Sequence, residues 1–286
     1  MQPGREDHGV VQLAALDLRR RPDHRAELTS QLLMGEVVRV LGRGRNGQWW
    51  RVQNLADGYT GWVRGYGICP ATRARTRRWL ERARHHVIVP FCQVRSAECQ
   101  GHTLTPLFWN GRVIAGRARN GRRPVELPDG RHGWVTATAL ATGVRRKRLI
   151  ERIRDMLGTP YLWGGRTPLG LDCSGLVQQL MAEQGVVLPR DAHDQFLATR
   201  VQIGADQLAL GDLLFFGRGR SRMEHVALVL GDGYYVHASG VVRVNSMDAH
   251  NPFYNKALSA QLRAFGRTKL ARIRHRGRGV KKRELA

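Results

Sequence analysis

The chain has 286 residues, 42% of them hydrophobic, and carries 47 basic against 23 acidic side chains for a net charge of +24. That length supports more than one packed core, two or three units at typical domain size. No run of about 18 apolar residues occurs, which excludes a membrane-spanning helix and leaves no membrane partner to expect. The basic excess is nearly all arginine, since lysine stands only at 147, 256, 269, 281 and 282. These arginines are scattered through every segment, and only the stretch from Arg267 to Arg283 is dense. A solvated basic surface, or attraction for small carboxylate-rich substrates, is therefore expected in place of a specific nucleic-acid partner.

The first residues, MQPGREDHGVVQLAAL, carry early acids and no apolar stretch of signal-peptide length. A cytoplasmic location is expected if this start is native, and export otherwise. Residues 10–70 and 87–141 then read as two similar small β units. WWRVQNLADGYTGWV (49–63) and VELPDGRHGWV (125–135) each hold a β-rich run, an Asp-Gly turn and Gly-Trp-Val. Asp-Gly between such runs predicts a hairpin. LTSQLLMGEVVRVLG, upstream of the first, predicts a further hairpin by its apolar alternation and Gly-Glu turn, and LTPLFWNGRVIAGRA, upstream of the second, looks the same. Short strands and tight turns imply small barrels, with Trp62 and Trp134 expected in their cores. A helical connector is predicted over 71–86.

From 145 the pattern changes. RRKRLIERIRDMLG reads as an amphipathic helix with Leu149, Ile153, Met156 and Leu157 on one face, ended by Gly158 and Pro160. A Gly- and Pro-containing loop leads to Asp172 at an N-cap position, and a helix follows to about Gln184, stopped by Gly185. Three β-like runs come next, DLLFF (212–216), HVALVL (225–230) and YYVHAS (234–239), so the last domain, 145–270, is α+β. The segment 271–286 has no apolar period and reads as a basic disordered tail.

Cysteines stand at 69, 92, 99 and 173. None has zinc-ligand spacing, so neither a metal nor an organic cofactor is implied, and no disulfide is expected. The first three read as small buried apolar residues. Cys173 differs because it opens a helix, where unpaired amides favour a thiolate and can hold an oxyanion; its pKa is expected to be lowered. Two histidines on successive strands are candidates for its base. If the turn at Gly231-Asp232-Gly233 has three residues, His225 pairs with position 239 and His237 lies two residues away on the same face. If it has two, the parity changes and a bulge is needed. One imidazole then takes the thiol proton while the other orients it.

The strings YLWGG, LDCSGLVQ, LPRDAHDQ, LGDLLFF, HVALVLGDG and VHAS resemble the NlpC-type peptidases over about 150–270. That family has a papain-like core and hydrolyses γ-D-glutamyl bonds in peptidoglycan peptides. The resemblance implies Cys173 as nucleophile, His225 as base, His237 as orienting residue and Tyr161 as an aid at the oxyanion. The N-terminal units resemble bacterial SH3-like domains, so the whole reads as two SH3-like β-barrels before an NlpC-type catalytic domain. This arrangement resembles the γ-D-glutamyl-L-diamino acid endopeptidases of wall-peptide recycling. In those enzymes the first SH3-like domain caps the cleft and recognises a free N-terminal L-Ala.

The same resemblance assigns the substrate amine to Asp172 and Tyr59. Glu27 is the candidate for a second acid and Glu36 its competitor. Ser174, Arg190 and Asp191 match positions lining the D-Glu and leaving-residue side, and Trp163 reads as a cleft wall or a core residue. Related sequences often carry Ser after the Arg-Asp pair, where Ala192 stands here. The expected partner is a small wall-derived peptide with a free L-Ala, acted on by a monomer. Attack on intact wall by an exported enzyme, and a non-catalytic wall-binding module, are the alternatives.

Overall fold

The computed structural model describes residues 6–143, 149–201, 203–219 and 221–270. The segment read as a disordered tail lies outside them. Among the described residues no helix is long and apolar enough to cross a membrane. The chain divides into two compact units: residues 1–143 with Trp163–Pro168, and residues 144–162 with 169–286.

The first unit holds two seven-stranded sheets. The first sheet comprises β1 (His8–Val11), β2 (Ala15–Arg19), β3 (Leu28–Leu33), β4 (Val37–Arg43), β5 (Trp49–Asn54), β6 (Thr60–Arg64) and β7 (Ile68–Ala71), in the order β3-β2-β6-β5-β4-β1-β7. After helix α1 (Arg73–Arg82) come β8 (His85–Val87), β9 (Phe91–Arg95), β10 (Thr103–Phe108), β11 (Arg112–Ala115), β12 (Arg122–Glu126), β13 (His132–Thr136) and β14 (Leu140–Thr142). Their order, β10-β9-β13-β12-β11-β8-β14, repeats the first strand for strand. A short strand, β15 (Arg166–Thr167), belongs to the same unit.

Both Asp-Gly turns close hairpins, β5 on β6 with Gln53 opposite Thr60, and β12 on β13 with Glu126 opposite His132. The two upstream segments read as hairpins, the first through Gly35-Glu36, do not form them. β3 pairs with β2 and β4 with β1 and β5, while β10 pairs with β9 and β11 with β8 and β12, so in neither sheet does the chain fold back on the strand just before the turn. Gly35 has φ +83°, and a Cβ there would lie 2.1 Å from the carbonyl oxygen of Arg112. Close backbone approach therefore requires glycine at this turn. The neighbouring Met34 packs in the second sheet's core with Val87, Leu107 and Val135.

Trp62 and Trp134 are not core residues. Alternation along β6 and β13 turns Val63 and Val135 inward and leaves both tryptophans half-buried on the outer face. Arg119 covers the Trp134 ring at 4.6 Å. Trp50 fills the first core in place of Trp62. Of the three cysteines read as buried, Cys69 and Cys92 are partly exposed and Cys99 is exposed.

The second unit contains α2 (Leu149–Met156), the short strand β16 (Gly170–Leu171), α3 (Cys173–Glu183), α4 (Ala192–Thr199), α5 (Lys256–Ser259) and a six-stranded sheet. Its strands are β17 (Arg200–Val201), β18 (Leu213–Phe216), β19 (His225–Gly231), β20 (Tyr234–Ser239), β21 (Val241–Ser246) and β22 (Leu262–Gly266), in the order β17-β22-β18-β19-β20-β21. Three of these, β17, β21 and β22, go beyond the predicted runs. On α2, Leu149, Ile153 and Met156 are buried as their spacing predicts, but Leu157 follows the last helical residue and is exposed. α3 packs on β19 and β20, and every residue from Cys173 to Met181 is buried. A helix apolar on most sides belongs in an interior.

The β19–β20 turn combines both parities considered from sequence. Gly231 pairs with Tyr234 across a two-residue tip, and a bulge after Val229 restores the pairing of Leu228 with Val236. That register puts His225 and His237 on the same face of the sheet.

Candidate active site

Asp172 caps α3, its Oδ1 accepting the amide of Gly175 at 2.6 Å. The cap fixes the first turn and sets Cys173 as the first helical residue. Backbone groups of Val226 and Ser174 lie within hydrogen-bonding reach of its sulfur, so the thiol sits beside the residue that follows His225. The sequence therefore brings the helix start and the β19 start together, as nucleophile and base require.

His225 Nε2 is 2.8 Å from His237 Nδ1, and His237 Nε2 is 2.7 Å from Asn245 Oδ1. The rings of the two histidines meet edge-on at 5.0 Å between centroids. Asn245 is a member of this row that sequence reading misses. It stands opposite Tyr235 on β21, one diagonal step from His237. The only available signal is VVRVNS after Gly240, a β-prone run that can be placed only once β20 is known to turn back at that glycine.

Electrostatics in the pocket differ from the expectation at a helix start. Burial pushes the Cys173 thiol up to about 11, and the Asp172 carboxylate adds to the rise; the Val226 and Ser174 backbone and Arg190 oppose it. Burial likewise pushes His225 down to about 3, helped by His237. His237 is also lowered by burial, with its bond to Asn245 opposing. Helix-start amides alone do not outweigh the desolvation of a 6% exposed cysteine. Both shifts favour the uncharged forms, thiol and imidazole.

Asp172 is more than a cap. Arg190 Nη1 lies 3.0 Å from its Oδ1 and Nη2 lies 2.6 Å from its Oδ2, a bidentate ion pair with both side chains buried. Arg190 Nη1 also donates to Ser174 Oγ at 2.9 Å, and the Ser174 hydroxyl faces Asp172 Oδ1 at 3.3 Å. Asp191, the residue after Arg190, starts the following helix. It is exposed at the N-cap position of α4, where its carbonyl accepts the amide of Gln195. Burial raises the Tyr161 phenol well above its ordinary value, with Cys173 and Asp172 adding to the shift, which places it beside both.

The remaining predicted residues belong to the first unit. Tyr59 packs against the first barrel's core and lines a hollow of about 400 Å³ with Arg20, Arg51 and Trp62. Glu27 pairs with Arg20 at 2.6 Å and accepts the indole N–H of Trp163 at 3.0 Å. Trp163 is 59% exposed, which excludes the core reading. Glu36, the competitor for the amine, is committed internally. Its carboxylate accepts from Arg166 at 2.9 and 3.2 Å, from Asn54 at 3.3 Å and from the Leu33 amide at 3.1 Å. Glu27 is the more accessible of the two acids.

A cysteine at a helix start, an imidazole held by a second imidazole, and a tyrosine beside the sulfur define a cysteine peptidase. Comparison with known proteins gives the type. Residues 158–263 match the NlpC/P60 family and residues 18–66 match the bacterial dipeptidyl-peptidase SH3 domain. The chain is 28% identical over 276 residues to dipeptidyl-peptidase 6 of Lysinibacillus sphaericus, covering 91% of this chain and 98% of that protein. It is 26% identical over 251 residues to the gamma-D-glutamyl-L-lysine dipeptidyl-peptidase of Bacillus subtilis, covering 83% and 81%. The crystal structure of an NlpC/P60 family protein from Bacillus cereus superposes with a TM-score of 0.77 at 20% identity, over 91% of this chain and 99% of that one. The chain carries an NlpC/P60 catalytic domain after a sheet-rich, SH3-like N-terminal region, and is a cysteine peptidase of the NlpC/P60 type.

Proposed function

We propose that this peptidase hydrolyses the γ-D-glutamyl-L-diamino acid bond of free wall-derived peptides, L-Ala-γ-D-Glu-diamino acid, in peptide recycling. The observation that carries the chemistry is the His225–His237 contact at 2.8 Å, on a strand whose next residue, Val226, offers its backbone to the Cys173 sulfur. The likeness to dipeptidyl-peptidases over most of the chain supports the substrate class.

The reaction runs in two halves. His225 takes the thiol proton as sulfur attacks the γ-carbonyl carbon of D-Glu. The oxyanion that forms is met by first-turn amides of α3 and the Tyr161 hydroxyl; the Gly175 amide is already used by Asp172. The C–N bond then breaks and His225 returns its proton to the leaving amine. Water, deprotonated by His225, next attacks the thioester, and Cys173 leaves as the thiol. Asp172, Tyr59 and Glu27 are assigned to the substrate's N-terminal ammonium, and Ser174, Arg190, Asp191 and Trp163 to the flanking groups. The second seven-stranded sheet is also read as SH3-like, on its identical strand order.

The test is incubation with the free tripeptide. Release of L-Ala-D-Glu by the wild type and none by Cys173→Ala supports the assignment; no release by either rejects it. Equal cleavage of the N-acetylated tripeptide would reject the amine requirement, and solubilisation of purified sacculi would point to an enzyme of intact wall.

A further inference from the structure

The His225–His237–Asn245 row has a direction, and that direction settles which atom can act as base. Asn245 Nδ2 donates to the carbonyl oxygen of Phe253 at 2.6 Å, which turns its Oδ1, an acceptor only, toward His237. His237 must therefore carry its proton on Nε2 to bond Asn245 at 2.7 Å. Its Nδ1 is then bare and can only accept, so the proton shared at 2.8 Å belongs to His225 Nε2. His225 Nδ1 is left with a free lone pair, the form that can take a proton from sulfur.

We infer that Asn245 is a positioning residue that locks this proton arrangement through His237, anchored in turn by the backbone carbonyl of Phe253. This rests on the peptidase reading of the same site. Without the lock, His237 can hold its proton on Nδ1 and donate it to His225 Nε2. His225 then keeps its own proton on Nδ1. Each ring still has one proton, but the lone pair needed for catalysis is used up. Burial makes the lock matter, because solvent cannot readily re-sort the protons: His237 and Asn245 are 1% and 9% exposed.

The experiment uses the full chain labelled with ¹⁵N-histidine, whose ring-nitrogen shifts distinguish the two neutral tautomers. In the wild type, His225 and His237 should both be protonated at Nε2. Asn245→Ala should release that preference and lower kcat by roughly 10²-fold, the worth of a correctly placed general base, with KM nearly unchanged. Asn245→Asp keeps the acceptor toward His237 but loses the donor to Phe253. It should retain the Nε2–H tautomers and recover most of kcat even if it melts earlier. A wild type with His237 protonated at Nδ1 overturns the inference, and this readout survives even if the tripeptide is not the substrate. Equal losses in the Ala and Asp variants, in step with their melting temperatures, also overturn it.

Discussion

Arg190 grips Asp172 by both carboxylate oxygens, at 3.0 and 2.6 Å, in a site where neither side chain is more than 9% exposed. Breaking such a pair leaves a charge that water cannot reach. Arg190→Met should therefore destabilise the protein by about 3–5 kcal/mol, read from urea unfolding. A cost under about 1 kcal/mol would mean that water enters the site once the guanidinium is gone.

The same comparison separates the two acids of the first unit. Glu36 bonds a buried Arg166, whereas Glu27 meets an exposed Arg20. Glu36→Gln should cost several kcal/mol, as a buried pair does, and Glu27→Gln about 1 kcal/mol or less. If Glu27 receives the substrate ammonium, its variant should instead raise KM for the free tripeptide. Differential scanning calorimetry and steady-state kinetics on the two variants read these separately.

Reactivity of Cys173 should follow its raised pKa. Alkylation by iodoacetamide should be slow at pH 7 and accelerate toward pH 11, where the thiol ionises in the unoccupied site. The exposed Cys99 should label faster at neutral pH, so site-resolved mass spectrometry carries its own reference. A Cys173 labelling rate that levels off below pH 7 would show a preformed thiolate–imidazolium pair and contradict the burial argument. Slow labelling here is compatible with full activity.

Acid should weaken the fold through imidazoles that are partly buried. Folding lowers His225 from 6.5 to about 3 and His86 to about 4, both chiefly by burial. The unfolded chain then binds more protons than the native one below about pH 6.5. The stability due to these groups is complete above that pH and is lost as pH falls from about 6.5 toward the folded values, about 4 for His86 and about 3 for His225. The urea midpoint should drop between pH 7 and 4.5, and His225→Asn should make the drop shallower. A midpoint unchanged over that range would mean that these rings protonate without opening the structure.

The placement of Cys173, His225 and His237 is legible in sequence because the signals are local: a capped helix start after a glycine loop, and two strands joined by a short turn. What escaped depends on tertiary burial or on strand neighbours. The thiol pKa moves up because the whole face of α3 is covered, which no spacing reveals. Asn245 joins the histidines through β21, a strand that must first be placed beside β20. The Gly-Trp-Val repeats point to real strands, but which neighbour faces inward depends on register, and Val63 and Val135 take the core at the expense of the tryptophans. The Gly35-Glu36 segment reads as a hairpin because local turn chemistry says nothing about which strands lie side by side.

The tip of the β19–β20 ribbon governs the His225–His237 contact without touching it. Gly231, Asp232 and Gly233 all hold positive φ there, and one extra backbone unit after Val229 offsets the tightness of the bend. Deleting that unit, or adding one to the bend, would slide one strand past the other by a single step. The sheet could keep its ladder while His237 turned away from His225. An insertion at the far end of the hairpin would thus part the two imidazoles and leave every side chain of the candidate site present.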